Sequence, residues 1–236
     1  MSLLIRIQAN YGPNKEDLTW TQPNFILCAT AQGTVKKTAL EEFSNIHRGG
    51  IIAIGIEESD ILIDVMLTSG HDEVVLITRE GQSIRFSEED VRSMGRPAGG
   101  VRGIHLEKTD AVVALAVVVQ DAMLLVAGEN GIGKRTDFKE YRPQSRGGKG
   151  IITMKTTEKT GAVVGALTVR DADEIMLITV KGQMVRISVN GIREAGRNTQ
   201  GVKLIELESG DKLQAIAPVI GEDKEDSAAG EDEPAK

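Results

Sequence analysis

Four copies of a unit of about fifty residues run through this chain, and the repetition constrains its fold more than any other feature. Each copy begins with an apolar, β-prone run and continues with a first glycine: Gly33, Gly81, Gly131 and Gly182. Ten residues after this glycine comes an apolar residue: Phe43, Val91, Tyr141 and Ile192. A second glycine lies 17 or 19 residues after the first, at Gly50, Gly100, Gly148 and Gly201. Matches at fixed offsets in every copy indicate one structural unit used repeatedly.

The repeat predicts an all-β fold. Short β-branched runs separated by glycine turns are typical of strands, and a unit of this length fits a four-stranded antiparallel blade. We therefore expect a β-pinwheel or propeller-like array of about four four-stranded blades, with repeats at about 23–72, 73–121, 122–172 and 173–220. The first glycine of each repeat is expected in a hairpin turn, where a positive φ is needed. The stretches 87–94 and 188–195 have weak helical signals and are expected to be loops.

The two ends of the chain differ from the repeats. Residues 1–22 resemble no known segment, whereas residues 221–236 hold seven acids and two lysines of a chain whose net charge is -7. That tail has few apolar residues and is expected to be disordered. No apolar run approaches the roughly 18 residues that cross a bilayer, and a signal-peptide pattern is lacking. A cytoplasmic protein without a membrane partner is expected.

Basic residues recur at fixed positions, although the summed charge is negative. Four residues after the first glycine come Lys37, Arg85, Arg135 and Arg186, and Lys134 stands beside Arg135. A second basic set surrounds the second glycine: Arg48, Arg96, Arg102, Arg146, Lys149, Arg197 and Lys203. Blades arranged round an axis would turn these points into a curved basic track, which suits a bent phosphate backbone. The alternative is a propeller that binds proteins, with arginines that only solvate its surface.

Four segments resemble the C-terminal domain of the DNA gyrase A protein and its relative in topoisomerase IV. They read ATAQGTVKKT at 29–38, GGVRGI at 99–104, GIGKRT at 131–136 and GRNTQGV at 196–202. The resemblance covers roughly residues 23–220 and implies a β-pinwheel whose rim binds and wraps double-stranded DNA. It further implies a nucleoid-associated enzyme of two A and two B chains that supercoils DNA negatively at the expense of ATP. Whether the parent enzyme is gyrase or topoisomerase IV stays open.

The chain departs from that family in two respects. The family domain usually has six blades, so four visible repeats make this array partial. The family also carries a QRRGG[KR]G box in its first blade, whereas the box-like motif here lies in the third repeat, at Gln144, Ser145, Arg146, Gly147, Gly148, Lys149 and Gly150. Ser145 replaces one arginine of the box. We therefore interpret the motif as an echo of the repeat, with a functional box as the alternative.

No catalytic site is expected in this chain. The stretch 128–135 is one residue short of a P-loop, because Arg135 stands where the magnesium-binding hydroxyl belongs, and its place in the repeat predicts a hairpin turn. Three histidines and the single cysteine, Cys28, have no ligand spacing, so neither a metal nor a cofactor is expected. Tyr141 occupies an apolar position of the repeat and is expected in the core. The resemblance implies that the transesterifying tyrosine lies in another region of the gyrase A protein.

Overall fold

A computed structural model describes residues 24–45 and 49–219. The unplaced N-terminal segment, Arg48 and the acidic tail therefore lie outside the described residues. Within them the regular structure is β-strand and short 3-10 turns, and no helix is long and apolar enough to cross a membrane. The strands of the first two repeats are β1 Phe25–Thr30, β2 Thr34–Ala39, β3 Leu62–Thr68, β4 Glu73–Thr78, β5 Gln82–Ser87, β6 Val101–Arg102 and β7 Val112–Val117.

The last two repeats follow the same plan. Their strands are β8 Met123–Gly128, β9 Ile132–Asp137, β10 Ile151–Ile152, β11 Val163–Val169, β12 Glu174–Thr179, β13 Met184–Ser188, β14 Val202–Lys203 and β15 Leu213–Pro218. They form sheets in the orders β3-β1-β2-β6, β10-β5-β4-β7, β11-β8-β9-β14 and β13-β12-β15, with antiparallel pairing throughout. Strands β3, β7, β11 and β15 contact one another in succession and so lie innermost. The opposite end of each sheet is its outer edge.

Each of the first three sheets borrows its outermost strand from the following repeat. Strand β6 pairs with β2, β10 with β5, and β14 with β9. We call the contact between two consecutive blades, including this borrowed strand, a joint. In each of the first three hairpins the carbonyl of the turn glycine also accepts a hydrogen bond from the next repeat, as Gly33 does from Gly103 at 2.8 Å. Because the borrowed strand covers an edge that would otherwise be open, each joint ties neighbouring blades through main-chain bonds.

The first strand of each hairpin explains why the repeats begin with unbroken apolar runs. In β4, Val74 and Leu76 face the first blade, whereas Val75 and Ile77 face the third blade. A strand enclosed by blades on both sides buries both of its faces, so alternation with polar residues is lost. The core is accordingly divided into layers between blades rather than collected at one centre.

The all-β prediction of four blades is confirmed, with three four-stranded sheets and a three-stranded fourth sheet in the described part of the chain. The four first glycines lie in hairpin turns with φ between 73° and 88°. The prediction of loops at 87–94 and 188–195 was incomplete, because 3-10 turns form at Glu88–Asp90 and Val189–Gly191. Related turns occur at Leu40–Phe43 and Phe138–Glu140.

One assignment within the repeat was wrong. The third equivalent of Gly100 and Gly201 is Gly150 rather than Gly148, because Gly150 precedes the borrowed strand β10. Its φ is +79°, and a Cβ there would collide with the Ser83 carbonyl of the preceding blade. The glycine is required both by its left-handed backbone and by the close approach of two chain segments.

Candidate nucleic-acid interface

We call the basic residues four positions after the first glycine the offset-four series. The first members of this series lie within joints between blades rather than on an exposed face. The Lys37 ammonium donates to the Glu88 carbonyl at 2.8 Å and lies 5.0 Å from the centre of the Phe25 ring. The Arg85 guanidinium donates to the carbonyls of Phe138 at 2.7 Å and Tyr141 at 3.1 Å. In both cases the acceptors belong to the 3-10 turn of the next repeat or the residue after it. The side chains therefore cap that turn.

The third and fourth members of the series, Arg135 and Arg186, make different contacts. Another repeat follows Arg135 in the described chain, whereas none follows Arg186. Arg135 donates through Nε to the Ile192 carbonyl at 2.6 Å and pairs with Asp171. Arg186 in the last blade is exposed and pairs with Glu174 of its own hairpin, with Nε to Oε2 at 2.9 Å. The hydrogen bond from Arg186 to Glu174 raises the pKa of Arg186. Of the four members of the offset-four series, Arg186 alone has an exposed guanidinium group.

Two lysines next to this series are completely buried. Lys134 Nζ donates to the Gly196 carbonyl at 2.5 Å, to the Arg197 carbonyl and to Thr199 Oγ1 at 3.1 Å. Lys36 is the equivalent residue of the first blade, and its Nζ donates to the Arg96 carbonyl of the next repeat and to the Ala53 carbonyl of its own repeat, the latter at 2.7 Å. Lys134 therefore stabilises the loop of the next repeat by donating hydrogen bonds to the backbone of that loop. The sequence pattern predicted that Lys134 contacts DNA. Its side chain is instead buried beneath that loop.

Burial also changes the titration of these lysines. Desolvation lowers the pKa of Lys134 to about 8, while the nearby Glu140 carboxylate raises it and Arg197 lowers it further. The pKa of Lys36 is lowered by the same cause. A buried ammonium loses its hydration, which favours the neutral amine. Two backbone carbonyls and the Thr199 hydroxyl, rather than a carboxylate, accept the hydrogen bonds of the Lys134 ammonium.

The arginines fifteen residues after the first glycine form the offset-fifteen series, and its three described members, Arg96, Arg146 and Arg197, are half-buried between repeats. Arg146 donates through Nε to the Asp90 carbonyl at 2.9 Å and through a terminal nitrogen to the Arg102 carbonyl at 3.0 Å. Arg197 donates to the Ile152 carbonyl at 2.8 Å. The backbone carbonyl of Arg96 accepts from Lys36. The guanidinium groups of Arg146 and Arg197 thus hold the borrowed strands β6 and β10, while both residues stay partly accessible.

The remaining members of the second basic set lie on the outer edge. Arg102 on β6 and Lys203 on β14 are exposed, and so is Lys149, two residues before β10. Lys149 is 3.6 Å from Glu107, and Lys203 is 3.4 Å from Glu206. Exposed pairs of this kind contribute little free energy. These cations stand at the same end of successive sheets.

Sequence reasoning missed a further basic set at offset eleven from the first glycine. Arg92, Arg142 and Arg193 occupy this position in the second, third and fourth repeats, and all three are exposed. The residue that follows each lies beside the second hairpin strand of the preceding blade, as shown by the parallel bridge between Ser93 and Lys37. Because these arginines recur at a fixed offset, the sequence alone contained the pattern that identifies them.

The box-like motif lies in the loop between β9 and β10, which leads from the third blade to the outer edge of the second. Gln144 donates its backbone N–H to the Arg85 carbonyl at 2.8 Å, and Gly147 does so to the Gly103 carbonyl at 2.6 Å. Loops 94–100 and 195–201 occupy the equivalent positions in their repeats. Ser145 and Lys149 are the exposed side chains of the motif.

The motifs rejected as catalytic sites have structural roles. The P-loop-like stretch is the β8–β9 hairpin, which confirms its interpretation as a turn. Tyr141 is in the core, as predicted, and its hydroxyl lies 2.7 Å from Thr153 Oγ1. Across residues 24–45 and 49–219, no three His, Cys, Asp or Glu side chains are grouped to hold a metal.

Comparison with known proteins gives consistent results. A family model described as "DNA gyrase C-terminal domain, beta-propeller" matches residues 24–69, 72–118, 122–170 and 173–220. The DNA gyrase A protein of Klebsiella oxytoca is 49% identical over 208 residues, which are 87% of this chain and 24% of that protein. The Escherichia coli K12 protein of the same name is 47% identical over the same shares. The chain thus spans about a quarter of the length of these relatives.

Solved structures agree with the family model. A structure of the DNA gyrase A C-terminal domain superposes with a TM-score of 0.78 at 27% identity, covering 86% of this chain and 68% of the other. A crystal structure of the C-terminal domain of DNA topoisomerase IV gives 0.80 at 26% identity, covering 86% and 64%.

Proposed function

This chain belongs to the family of DNA gyrase C-terminal domains, and on that premise we propose that it is a non-catalytic domain that binds double-stranded DNA and bends it around its outer edge. The observation that carries the proposal is the series of exposed arginines at one position of successive blades, Arg92, Arg142 and Arg193. Equivalent positions on blades around an axis present charge along a curve. A bent duplex presents its phosphates along a curve as well.

The proposed interface combines this series with the other accessible cations of the outer edge. Those are Arg102, Lys149, Arg186 and Lys203, together with the open sides of Arg96, Arg146 and Arg197. Arg48 is proposed to join them from its place in the repeat. Lys37, Arg85, Lys134 and Arg135 are proposed to act indirectly, because their donors are engaged by backbone carbonyls of the next repeat.

We expect binding without base preference. The outer edge consists of short strands and turns, and no α-helix in the described residues could enter a major groove. Contacts to phosphates fix position but carry no sequence information. Preference should therefore follow the ease with which a DNA sequence bends.

Within the longer protein, the domain is proposed to support negative supercoiling by gyrase, together with the gyrase B protein and the remainder of the gyrase A protein. The relatives that carry the gyrase A name favour gyrase over topoisomerase IV as the parent. A cytoplasmic, nucleoid-associated location follows from the proposed substrate. The protein-interaction propeller remains the competing function.

A band-shift titration at several salt concentrations, with two unrelated DNA sequences, tests the proposal. Arg142→Ala should weaken binding to both sequences alike and reduce the slope of log K against log salt by about one unit, as expected for one lost phosphate contact. Arg85→Ala is the matched control in the neighbouring blade, and it should leave the slope unchanged when compared under conditions where the variant is folded. A parent protein whose affinity does not fall with salt would favour the protein-interaction alternative.

A further inference from the structure

The loop 195–201 lies directly before strand β14, and a buried cation holds it from beneath. The Nζ of Lys134 donates to the carbonyls of both Gly196 and Arg197, to the first at 2.5 Å, and Lys134 is fully buried. Both carbonyls therefore point into the joint between the third and fourth blades. In a trans peptide unit the C=O and the following N–H point in opposite directions. The N–H groups of Arg197 and Asn198 consequently point away from the joint.

These two N–H groups differ in their acceptors. The Arg197 N–H donates to Glu140 Oε2 at 3.0 Å. The Asn198 N–H has no acceptor within residues 24–45 and 49–219, and Asn198 is exposed. Consecutive main-chain N–H groups that face the same way form a concave site for anions. The Glu140 carboxylate uses one donor of this pair, which leaves the other for an anion from outside the chain.

We propose that the main-chain N–H of Asn198 binds a phosphate of double-stranded DNA and that Lys134 is the residue that positions this donor. The inference rests on the proposed function and adds to it a contact made without a charged side chain. In the chain this N–H lies between two cations of the proposed interface, Arg197 and Lys203. The charges of Lys134 and Arg197, which interact with the Glu140 carboxylate, offset its repulsion of a phosphate.

The position of Asn198, sixteen residues after the first glycine, is used differently in the second and third repeats. In the second repeat it is Pro97, which has no N–H, although the buried Lys36 binds the carbonyl before it. In the third repeat it is Gly147, whose N–H already donates to the Gly103 carbonyl at 2.6 Å. Among these three described loops, the one in the fourth repeat alone offers a main-chain donor at this position.

Comparison of Asn198→Pro with Asn198→Ala tests this contact, because only the proline removes the N–H. In band-shift titrations with two unrelated duplexes, Asn198→Pro should bind both about tenfold more weakly than Asn198→Ala. The slope of log K against log salt should stay that of the parent, since no charged side chain is lost. Equal affinities of the two folded variants would overturn the proposal. A parent whose affinity does not fall with salt would instead contradict the proposed function itself.

The reverse exchange in the second repeat should strengthen binding. Pro97→Ala restores an N–H after the Arg96 carbonyl, which Lys36 directs into the joint. The affinity for both duplexes should therefore rise severalfold, again with the salt slope of the parent. Circular dichroism and urea unfolding verify that this variant and the two Asn198 variants are folded. A folded Pro97→Ala protein that binds no more tightly than the parent would contradict the role given to the buried lysine.

The main-chain amide resonances of the parent protein provide a test that needs no variant. On titration with a short duplex, the amide signal of Asn198 should move further than that of Gly147, because the Gly147 N–H at the same position of the repeat already has an acceptor. An Asn198 signal that stays in place while the duplex binds, or that moves no further than the Gly147 signal, would overturn the proposal.

Discussion

The joint between the third and fourth blades and the open edge of the fourth blade use the same positions of the repeat in different ways. In the joint, Lys134 is fully buried and Arg135 nearly so, both donating to carbonyls of the next repeat. At the open edge the same positions hold Val185, half-buried, and Arg186, exposed. Strand β8 is buried almost throughout, whereas β12 alternates between buried and half-buried residues. Burial in this fold therefore depends on the joint and not on the strand alone.

This comparison explains why a recurring basic residue need not have a recurring function. A cation at offset four satisfies the carbonyls of a 3-10 turn wherever another repeat follows, because buried carbonyl groups are costly when left without a donor. Where no repeat follows in the described chain, the same cation is available for other partners. The arginines at offset eleven are exposed in the second, third and fourth repeats alike, whether or not the offset-four cation of the same repeat is buried.

The largest expected difference concerns the buried lysine. Lys134→Met should lower the free energy of unfolding by about 2–3 kcal/mol, because the carbonyls of Gly196 and Arg197 lose their donor inside the joint. Val185→Met changes the equivalent position of the open edge and should have a much smaller effect. Urea unfolding of both variants and the parent measures the difference.

Equal changes in the free energy of unfolding for Lys134→Met and Val185→Met would contradict this difference between the joint and the open edge. Circular dichroism before unfolding confirms that each variant retains its β structure. Ile84, the equivalent residue of the second blade, shows that an apolar side chain fits this position when the facing loop is different.

A smaller effect is expected from pH. The pKa of Lys134 is lowered to about 8 by burial, whereas an unfolded lysine titrates near 10.4. Between these values the unfolded state binds more protons, so stability rises with pH, by at most about 1.4 kcal/mol per pH unit, and this gain is lost as the pH falls through 8. The stability of the parent relative to Lys134→Met should accordingly increase from pH 8 to pH 10. Parallel pH profiles for the two proteins would mean that the buried amine does not titrate in this window.

Much of the fold could be predicted from the repeat, since hairpin glycines and apolar runs are local signals. The exchange of β6, β10 and β14 between repeats could not, because it depends on pairing of strands that lie far apart in the sequence. The burial of Lys37 and Arg85 was hidden for the same reason: their acceptors lie 51 to 56 residues away. The exposed series at Arg92, Arg142 and Arg193 was visible as a fixed offset, and comparing every offset for charge would have found it.

The smallest expected difference separates Arg135 from Arg186. Arg135→Ala removes a guanidinium that is 12% exposed and donates to the Ile192 carbonyl, so it should destabilise the protein by about 1–2 kcal/mol. Arg186→Ala removes an exposed partner of Glu174 and should change stability less, because an exposed ion pair is weakened by water and salt. Unfolding in low and high salt distinguishes the two, since added salt should reduce any effect of Arg186→Ala and leave that of Arg135→Ala nearly unchanged. An Arg186→Ala effect as large as that of Arg135→Ala at low protein concentration would show that position four stabilises a blade without the next one. Capping of the neighbouring turn would then not be its role.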